Sequence, residues 1–465
     1  MEGLEVSVLS FKNVFNDDNF GRIDAEYFGK LHLTKNDILK RRSYKKINEF
    51  AVVTDGEHGS PDLDNDSGII YLSGNNIKEN TIDFENVRYC SLALHEKNQR
   101  SALKLNSVLI SIVGTVGKAS VVYKDVVANT DRNVATIKEI SNEINSYFLS
   151  VFMNSKYGTF QTQRFSTGNV QPLLNLLQVK SIIVPILNID CQIKIENIVK
   201  LTHSKLELSK TLYTEAENLL LAELGLNDWQ PTKSSSNSVS FSNSFLLSGR
   251  LDAEYYQPKY DELYNYLKRK ETKTLGSIAK IKKSIEPGSN AYQETGIPFV
   301  RVSNITKYGL SEPEIHLNRA EYEATDLKPK KDTILLTKDG TVGTAYKVEK
   351  DLDIITSGAI LHLTIKDKDF LPDYVTLILN SIVVSTQAER DAGGSIIQHW
   401  KPSEIEQVII PKLSINIQKE ISEKIQKSFV LKTESRKLLE LAKQAVEIAI
   451  EKGEDEGIKI LNSNI

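Results

Sequence analysis

The chain has 465 residues, 40% of them hydrophobic and 26% charged, which suits two or three folded domains. No apolar run approaches the roughly 18 residues of a membrane helix, and two cysteines without a signal-peptide pattern lead us to expect a cytoplasmic protein. The net charge of −3 does not indicate nucleic acid, so any DNA-binding surface must concentrate its positive charge on one face.

An internal duplication organises the chain. GRIDAEYFGKLH (Gly21–His32) recurs as GRLDAEYYQPKY (Gly249–Tyr260), 228 positions later. VLISIVGTVGKASVV (Val108–Val122) recurs as ILLTKDGTVGTAYKV (Ile334–Val348), 226 positions later. A period this long predicts two domain-sized copies in tandem rather than a solenoid of short repeats.

Each copy begins with a predicted globular part of α+β class. SVLISIVG and TILLTKDG are apolar runs ended by glycine, which indicates a strand followed by a turn. INSYFLSVFMNSKYGTFQTQ and PDYVTLILNSIVVSTQAER have helical spacing, and VKSIIVP and IEQVIIP indicate strands closed by proline. We assign the globular parts to residues 1–187 and 245–412.

A long helix is predicted after each globular part, over residues 188–228 and 413–452, with Asn188 and Ser414 as N-caps. A Ser/Asn-rich linker covers 229–244 and a tail covers 453–465. Heptad spacing favours an antiparallel coiled coil of the two helices over two helices that each cover only their own domain. The predicted pairing residues are Leu201, Leu208, Leu212, Leu219, Leu431, Leu438, Leu441 and Ile448.

No catalytic motif is evident. GTVGKAS and GTVGTAY fail the P-loop pattern because Ile112 stands where a glycine is required; they indicate a tight turn, or a turn whose Thr115, Lys118 or Thr341 approaches a DNA phosphate. The chain has no Pro-Pro for an amino-methyltransferase motif and no metal-ligand cluster. These absences favour recognition over catalysis.

Residue types that read base edges are frequent in the predicted loops. Each one could equally be an ordinary solvated loop residue, and Asn76 and Asn304, which are equivalent in the two copies, could instead hold a turn. The DNA-binding candidates are Asn75, Asn76, Arg132, Arg164, Thr167, Asn169 and Gln171 in copy one, and Arg301, Ser303, Asn304, Lys338, Ser395, Gln398, His399 and Trp400 in copy two.

The order of these motifs resembles the specificity subunit of type I restriction–modification systems. The resemblance rests on RIDAEYF and RLDAEYYQPKY, on GTVG, and on QPLLNLLQVKSIIVPIL and QHWKPSEIEQVIIPKL followed by CQIKIENIV and IQKEISEKI. Cys191 and Ile417 depart from it, because the family commonly has Glu before that Gln.

The resemblance implies two target-recognition domains, each followed by a spacer helix, that bind the halves of a bipartite asymmetric DNA site. It implies docking of two methyltransferase subunits and of restriction subunits. S-adenosylmethionine, ATP and Mg are then expected on those partners, and no catalytic residue, cofactor or metal on this chain.

Two rival hypotheses stay open. A tandem scaffold that binds only proteins would also keep the heptads, but its DNA affinity would lack a steep salt dependence. A specificity domain detached from a fused methyltransferase is disfavoured by the complete duplication. Whether RIDAEY packs or docks a partner is open, and we favour packing.

Overall fold

The computed structural model describes residues 8–12, 14, 21–168, 171–232, 234, 236–323, 326–393 and 398–462. The chain forms two compact units, Met1–Glu207 with Lys432–Ile465, and Leu208–Leu431. The unit boundary falls inside both long helices, so each unit contains one globular part and a portion of each long helix. Within the part of the chain that the structure describes, no helix is long and apolar enough to cross a membrane.

The globular part of the first unit is α+β. Its helices are Lys30–Lys40, Ile47–Phe50, Leu92–Lys97, Ser146–Asn154, Lys156–Phe165 and Leu176–Lys180, with 3-10 turns at Gly74–Asn76 and Gln99–Ser101. An antiparallel four-stranded sheet has the spatial order Val52–Asp55, Val134–Lys138, Val108–Ser111, Ala119–Val121. A second sheet has the order Arg88–Tyr89, Ile70–Leu72, Ala128–Thr130, its last two strands parallel. Two-stranded sheets join Tyr44–Lys46 with Ile183–Pro185 and Ile77–Lys78 with Thr81–Ile82.

The globular part of the second unit repeats this topology. Its helices are Phe245–Ser248, Pro258–Leu267, Leu275–Ile278, Arg319–Tyr322, Pro372–Leu379, Ile382–Asp391 and Pro402–Glu406, with 3-10 turns at Ala253–Tyr256, Ser289–Ala291 and Val302–Asn304. The four-stranded sheet has the order Ala279–Lys283, Ile360–Ile365, Ile334–Thr337, Ala345–Lys347. A three-stranded sheet has the order His316–Leu317, Ile297–Val300, Ile355–Thr356. Two-stranded sheets join Thr272–Thr274 with Ile409–Pro411 and Ile305–Thr306 with Gly309–Leu310. The predicted α+β class is confirmed.

Local capping explains why each helical run in the globular parts is divided. Ser155 accepts hydrogen bonds from the N–H groups of Tyr157 and Gly158, so a new helix begins directly after Ser146–Asn154. Ser381 does the same in the second unit through the N–H of Val383. The strand Val108–Ser111 is buried along its whole length, because Val108 and Ile110 pack in one hydrophobic cluster and Leu109 packs in another.

The two long helices, Ile189–Leu224 and Ile415–Lys452, pair in antiparallel fashion, as predicted. In the first unit, Lys205 forms an ion pair with Glu434 at 2.7 Å. In the second unit, Ser209 Oγ donates to the carbonyl of Ser428 at 2.8 Å, and Ser428 Oγ donates to the carbonyl of Ser209 at 2.7 Å. The tail contains a helix, Glu454–Asn462, which packs in the core of the first unit.

The predicted register of the pairing was wrong by about one residue in the first long helix. Leu201 is 39% exposed and Leu208 is 46% exposed, whereas Thr202, Ser209 and Leu220 are buried. Leu212, Leu219, Leu431, Leu438 and Ile448 are half-buried, and Leu441 is buried. The error has a physical cause: Ser209 and Ser428 meet where the two helices touch, and their hydroxyl groups bond the partner helix's carbonyls, so the leucine positions of the first helix do not mark this seam.

The predicted N-caps of the long helices are confirmed. The side-chain oxygen of Asn188 accepts from the N–H of Asp190 at 2.7 Å, and Ser414 Oγ accepts from the N–H of Ile417 at 3.4 Å. Gln192 and Gln418 connect the first turns of these helices to their own units. The side-chain amide of each accepts from one backbone N–H and donates to two backbone carbonyls. Each long helix is therefore tied to a globular part at its first turn.

Candidate nucleic-acid interface

In the first unit, four loops meet at one end of the four-stranded sheet. The turn after Val108–Ser111 meets the loop after Lys156–Phe165, because Gly114 N–H donates to the carbonyl of Pro172 at 3.0 Å. The loop of residues 131–133 joins them through the carbonyl of Asn133, which accepts from Ile112 N–H at 2.9 Å. Gly74 lies against the same residue, Asn133. We call residues 73–76, 112–118, 131–133, 166–168 and 171–173 loop cluster 1.

The second unit has the equivalent assembly, loop cluster 2, which comprises residues 301–304, 338–343, 357–359, 393, 398 and 399. Gly340 N–H donates to the carbonyl of Gln398 at 2.9 Å, and Trp400 N–H donates to the carbonyl of Lys338 at 2.8 Å. Lys338 N–H in turn donates to the carbonyl of Ala359 at 2.9 Å. The backbone of the two clusters is thus shared, while their side chains differ.

Both GTVG segments form tight turns between paired strands. Gly117 has φ +91°, and its N–H donates to the carbonyl of Ser111 at 2.8 Å. A Cβ at this position would lie 2.4 Å from Thr162 Oγ1, so only glycine fits without a shift of that side chain. The turn interpretation of the sequence is confirmed, and Thr115 and Thr341 lie exposed at the tips.

In loop cluster 1 most of the predicted candidates are exposed. Asn75, Thr115, Arg132, Thr167 and Gln171 are exposed, and Lys118 is half-buried. Asn169 lies outside the described residues. Amide, hydroxyl and guanidinium groups of this kind can donate to or accept from base edges and phosphates.

Loop cluster 2 presents a different set of side chains. Arg301, Ser303, Thr341, Gln398 and His399 are exposed, and Ser395 lies outside the described residues. His399 Nδ1 lies 2.9 Å from Asp339 Oδ1, and Lys338 Nζ also bonds Asp339. Burial acts to raise the pKa of Asp339, but these two partners outweigh it and hold that pKa below its usual value.

Four candidates are corrected by their surroundings. Trp400 is fully buried in the hydrophobic core of the second unit, and Arg164 is only 5% exposed and lies over the ring of Tyr27. Neither can reach a base. The Asn76 side chain accepts from Ser73 and donates to the carbonyls of Asp83 and Asn86.

The equivalent Asn304 accepts from the N–H of Arg301 and donates to Ser311. Both asparagines therefore hold turns, which is the alternative that the sequence had left open. Their amide groups are used in hydrogen bonds within the chain.

Sequence reasoning missed three residues, of which Asp131 and Asp339 lie in the clusters and Arg88 lies beside loop cluster 1. Arg88 lies over the ring of Tyr71 and 4.0 Å from Asp131, and Asp339 bridges Lys338 and His399. Burial raises the pKa of Asp131 in spite of the hydrogen bonds from Asn133. The sequence could have indicated two of them by position, because Asp131 adjoins the candidate Arg132 and Asp339 adjoins the candidate Lys338.

Metal ligation is not supported by the side chains in the described ranges, where no group of three or more His, Cys, Asp or Glu residues could hold an ion. Cys90 and Cys191 are buried, unpaired thiols, and burial raises the pKa of each. The loop clusters therefore offer hydrogen-bond donors and acceptors, which suit recognition of a surface.

Comparisons with known proteins match parts of this chain to one family. Residues 268–443 match the family model of the type I restriction modification DNA specificity domain. A stretch of 132 residues is 27% identical to the type I restriction enzyme EcoBI specificity subunit of Escherichia coli, and it spans 28% of this chain and 28% of that protein. The resemblance predicted from the sequence is confirmed by these matches.

Similar solved structures include the type I restriction-modification system S subunit from M. genitalium. It is 12% identical, with a TM-score of 0.40, over 90% of this chain and 95% of that one. The HsdS subunit from Thermoanaerobacter tengcongensis is 12% identical, with a TM-score of 0.28, over 88% of this chain and 97% of that one.

Proposed function

We propose that this chain, whose second copy matches the type I restriction modification DNA specificity domain, is the sequence-specific DNA-binding subunit of a type I restriction–modification complex. The observation that carries the proposal is the pair of loop clusters. Their backbone hydrogen bonds are equivalent, while the side chains that they expose differ. Two such clusters suit two different half-sites of one asymmetric DNA sequence.

The chain acts in this proposal by recognition alone. Methyl transfer, DNA cleavage and ATP hydrolysis belong to two methyltransferase subunits and to restriction subunits, which supply S-adenosylmethionine, ATP and Mg. The support on this chain is the set of exposed groups in the clusters, which are hydrogen-bond donors and acceptors without a paired nucleophile and base. The complex would work in the cytoplasm, where two buried free thiols are stable.

Each cluster contributes specificity through its own side chains. Arg301, Gln398 and His399 are suited to major-groove edges in the second unit, as Asn75, Arg132 and Gln171 are in the first. Exposed lysines and arginines elsewhere would contact phosphates and account for most of the affinity.

Selection from a random double-stranded DNA library by the full-length chain tests the proposal. We expect recovery of two short half-sites separated by a stretch without preference, and an affinity that falls steeply with salt. The double variant Gln398→Ala/His399→Ala should lose preference at one half-site, and Thr167→Ala/Gln171→Ala at the other. Each double variant is therefore the control for the other, because the half-site that it does not alter should keep its base preference.

A scaffold that binds only proteins would show no base preference in the selection and no steep fall of DNA affinity with salt. That result would overturn the proposal. Methylation sequencing of the source genome gives an independent outcome, since a split methylated motif must be present and must vanish when the gene is deleted. Modification at an unsplit motif would contradict two separate readers.

A further inference from the structure

The segment that opens each copy, GRIDAEY or GRLDAEY, bonds the end of the helix that leads into a cluster loop in both units. Its arginine lies at the C-terminal end of the helix that leads into the loop, Lys156–Phe165 in the first unit and Ile382–Asp391 in the second. Those loops carry Thr167 and Gln171, or Gln398 and His399. A motif shared by the copies thus touches the helix end that precedes a loop in which the copies differ.

In the first unit the contact is made by Arg22. Its Nε and Nη2 atoms donate to Asp24 at 2.7 and 2.9 Å, which orients the guanidinium. Nη1 donates to the carbonyls of Arg164 at 3.0 Å and Ser166 at 3.1 Å. Ser166 is the first residue after the helix, so the bonds join the helix end to the loop start.

An aromatic ring completes the arrangement in the first unit. Arg22 lies over the ring of Tyr27 at 4.9 Å and Arg164 lies over it at 4.1 Å. Arg164 Nε donates to the carbonyl of Tyr27 at 2.8 Å, and Tyr27 N–H donates to Asp24 at 2.9 Å. Because the ring and the carboxylate leave Arg22 little freedom, its donors stay directed at the two carbonyls.

The second unit builds a related contact, in which the helix-end carbonyl belongs to Asp391, the position equivalent to Phe165. Arg250 Nε donates to Asp252 at 2.8 Å, and its Nη1 donates to the carbonyl of Asp391 at 3.1 Å. Arg250 and Arg390 lie over the ring of Tyr255 at 4.5 and 4.4 Å. Recurrence at equivalent positions in a duplicated chain argues against a chance surface ion pair.

The chemistry suits a helix terminus. The last carbonyls of a helix have no partner within the helix and carry partial negative charge, so a cation that donates to them is stabilising. Arginine can hold a carboxylate with one edge and donate to carbonyls from the other, whereas lysine cannot do both in a fixed geometry.

We propose that Arg22 and Arg250 are positioning residues, each of which fixes the start of one specificity loop. We call each Arg–Asp pair with its helix-end carbonyl a latch. The inference rests on the proposed function, because a loop can be called a specificity loop only if the chain reads DNA. Each latch is expected to act on the described residues of its own loop, 166–168 with 171–173 or 393 with 398–399, and to leave the other loop unaffected.

Amide hydrogen exchange on the DNA-free full chain tests the latch without reference to function. Thr167 and Leu173 each donate a backbone hydrogen bond to the carbonyl of the other, and this pair closes the loop that begins at Ser166. Gly393 and His399 are paired in the same way in the second unit. Arg22→Ala should speed exchange at Thr167 and Leu173 by roughly tenfold or more and leave Gly393 and His399 unchanged. Arg250→Ala should do the reverse, and unchanged exchange at both loops overturns the latch.

Selection from the random double-stranded DNA library then tests specificity. Arg22→Ala should reduce base preference at one half-site and Arg250→Ala at the other, each about tenfold, with the second half-site retained as the internal control. Equal loss at both half-sites, or no loss at either, contradicts the assignment. If the unsubstituted chain selects no sequence, the proposed function fails while the exchange result still decides the latch.

A charge-swapped variant separates the latch from the ion pair alone. Arg250→Asp combined with Asp252→Arg keeps two opposite charges but moves the guanidinium two residues along the chain. We expect this variant to behave as Arg250→Ala does in exchange and in selection. Behaviour like that of the unsubstituted chain would mean that the ion pair suffices and that the carbonyl bond has no positioning role.

Discussion

Among single residues, Asp391 shows how burial and helix polarity act on one group. It ends the helix Ile382–Asp391 and is half-buried, beside Arg390 and Arg250. Burial raises the pKa of its carboxyl to about 6, although the two arginines act in the opposite direction. A negative charge at the C-terminus of a helix is also unfavourable. The charged form is therefore destabilised in the folded state.

We predict that Asp391→Asn stabilises the protein above about pH 6. Because the folded pKa lies above the unfolded value of 3.8, ionisation lowers stability as the pH rises from about 4 to about 6, and the penalty is complete above that window. Removing the charge should increase the free energy of unfolding by roughly 1–3 kcal/mol at neutral pH and by little at pH 4. Thermal denaturation from pH 4 to 8 measures this.

The neighbouring variant Glu389→Gln is the matched control. Glu389 is exposed and pairs with Lys259 at 2.6 Å, so its substitution should change stability only slightly, in the destabilising direction. A gain from Asp391→Asn that is as large at pH 4 as at pH 8 would show that the carboxyl charge is not its cause.

At the scale of secondary-structure elements, the long helices show that the spacing of leucines need not mark the face on which two helices touch. Ser209 is 4% exposed and bonds Ser428 reciprocally, whereas Leu208 beside it is 46% exposed. Tyr213, which is 2% exposed, stands near Phe429 on the same side of the pair. Small residues at the seam bring the backbones close, and larger side chains fill the space beside them.

We predict opposite outcomes for two adjacent substitutions in the first long helix. Ser209→Lys places a charge in the seam without a partner and should cost about 2–4 kcal/mol of stability. Leu208→Lys places the same charge on the exposed side and should change stability by less than about 1 kcal/mol. Chemical denaturation of both variants is the measurement, and equal losses would mean that the seam is misplaced.

On the scale of the whole molecule, each long helix contributes residues to both compact units. Ile189–Leu224 has 36 residues and Ile415–Lys452 has 38, and a helix rises about 1.5 Å per residue, so each is roughly 55 Å long. A helix resists bending more than a loop does. Under the proposed function, we therefore expect the two helices to set the spacing between the two half-sites.

We predict that one added heptad in each long helix, inserted at Ser209 and Ser428, widens the selected spacing. Seven residues keep the seam in register and add about 10 Å, or about three base pairs. The second half-site also rotates by roughly 100°, because DNA turns once in about 10.5 base pairs. The original site should bind poorly, and selection should return the same half-sites farther apart.

An insertion in only one helix is the control, since it breaks the pairing of the two helices and should lower stability. Recovery of the original spacing with undiminished affinity by the doubly lengthened chain would show that the helices do not set it. The partner subunits would then have to fix the spacing.

The sequence by itself determined the duplication, the α+β class, the helix N-caps Asn188 and Ser414, and the two GTVG turns. These features depend on local chemistry: capping side chains, glycine in the left-handed region, and apolar periodicity act within a few residues of the chain. The family resemblance came from the same local motifs in their order.

Only the tertiary structure decided which side chains face solvent and which bond the protein itself. Arg164 and Trp400 have the chemistry of base readers, but long-range packing buries both. Arg22 meets the carbonyl of Arg164, 142 positions away, a contact that no local pattern encodes. The helix seam likewise depends on which face the partner helix covers, because burial is a property of the assembled fold.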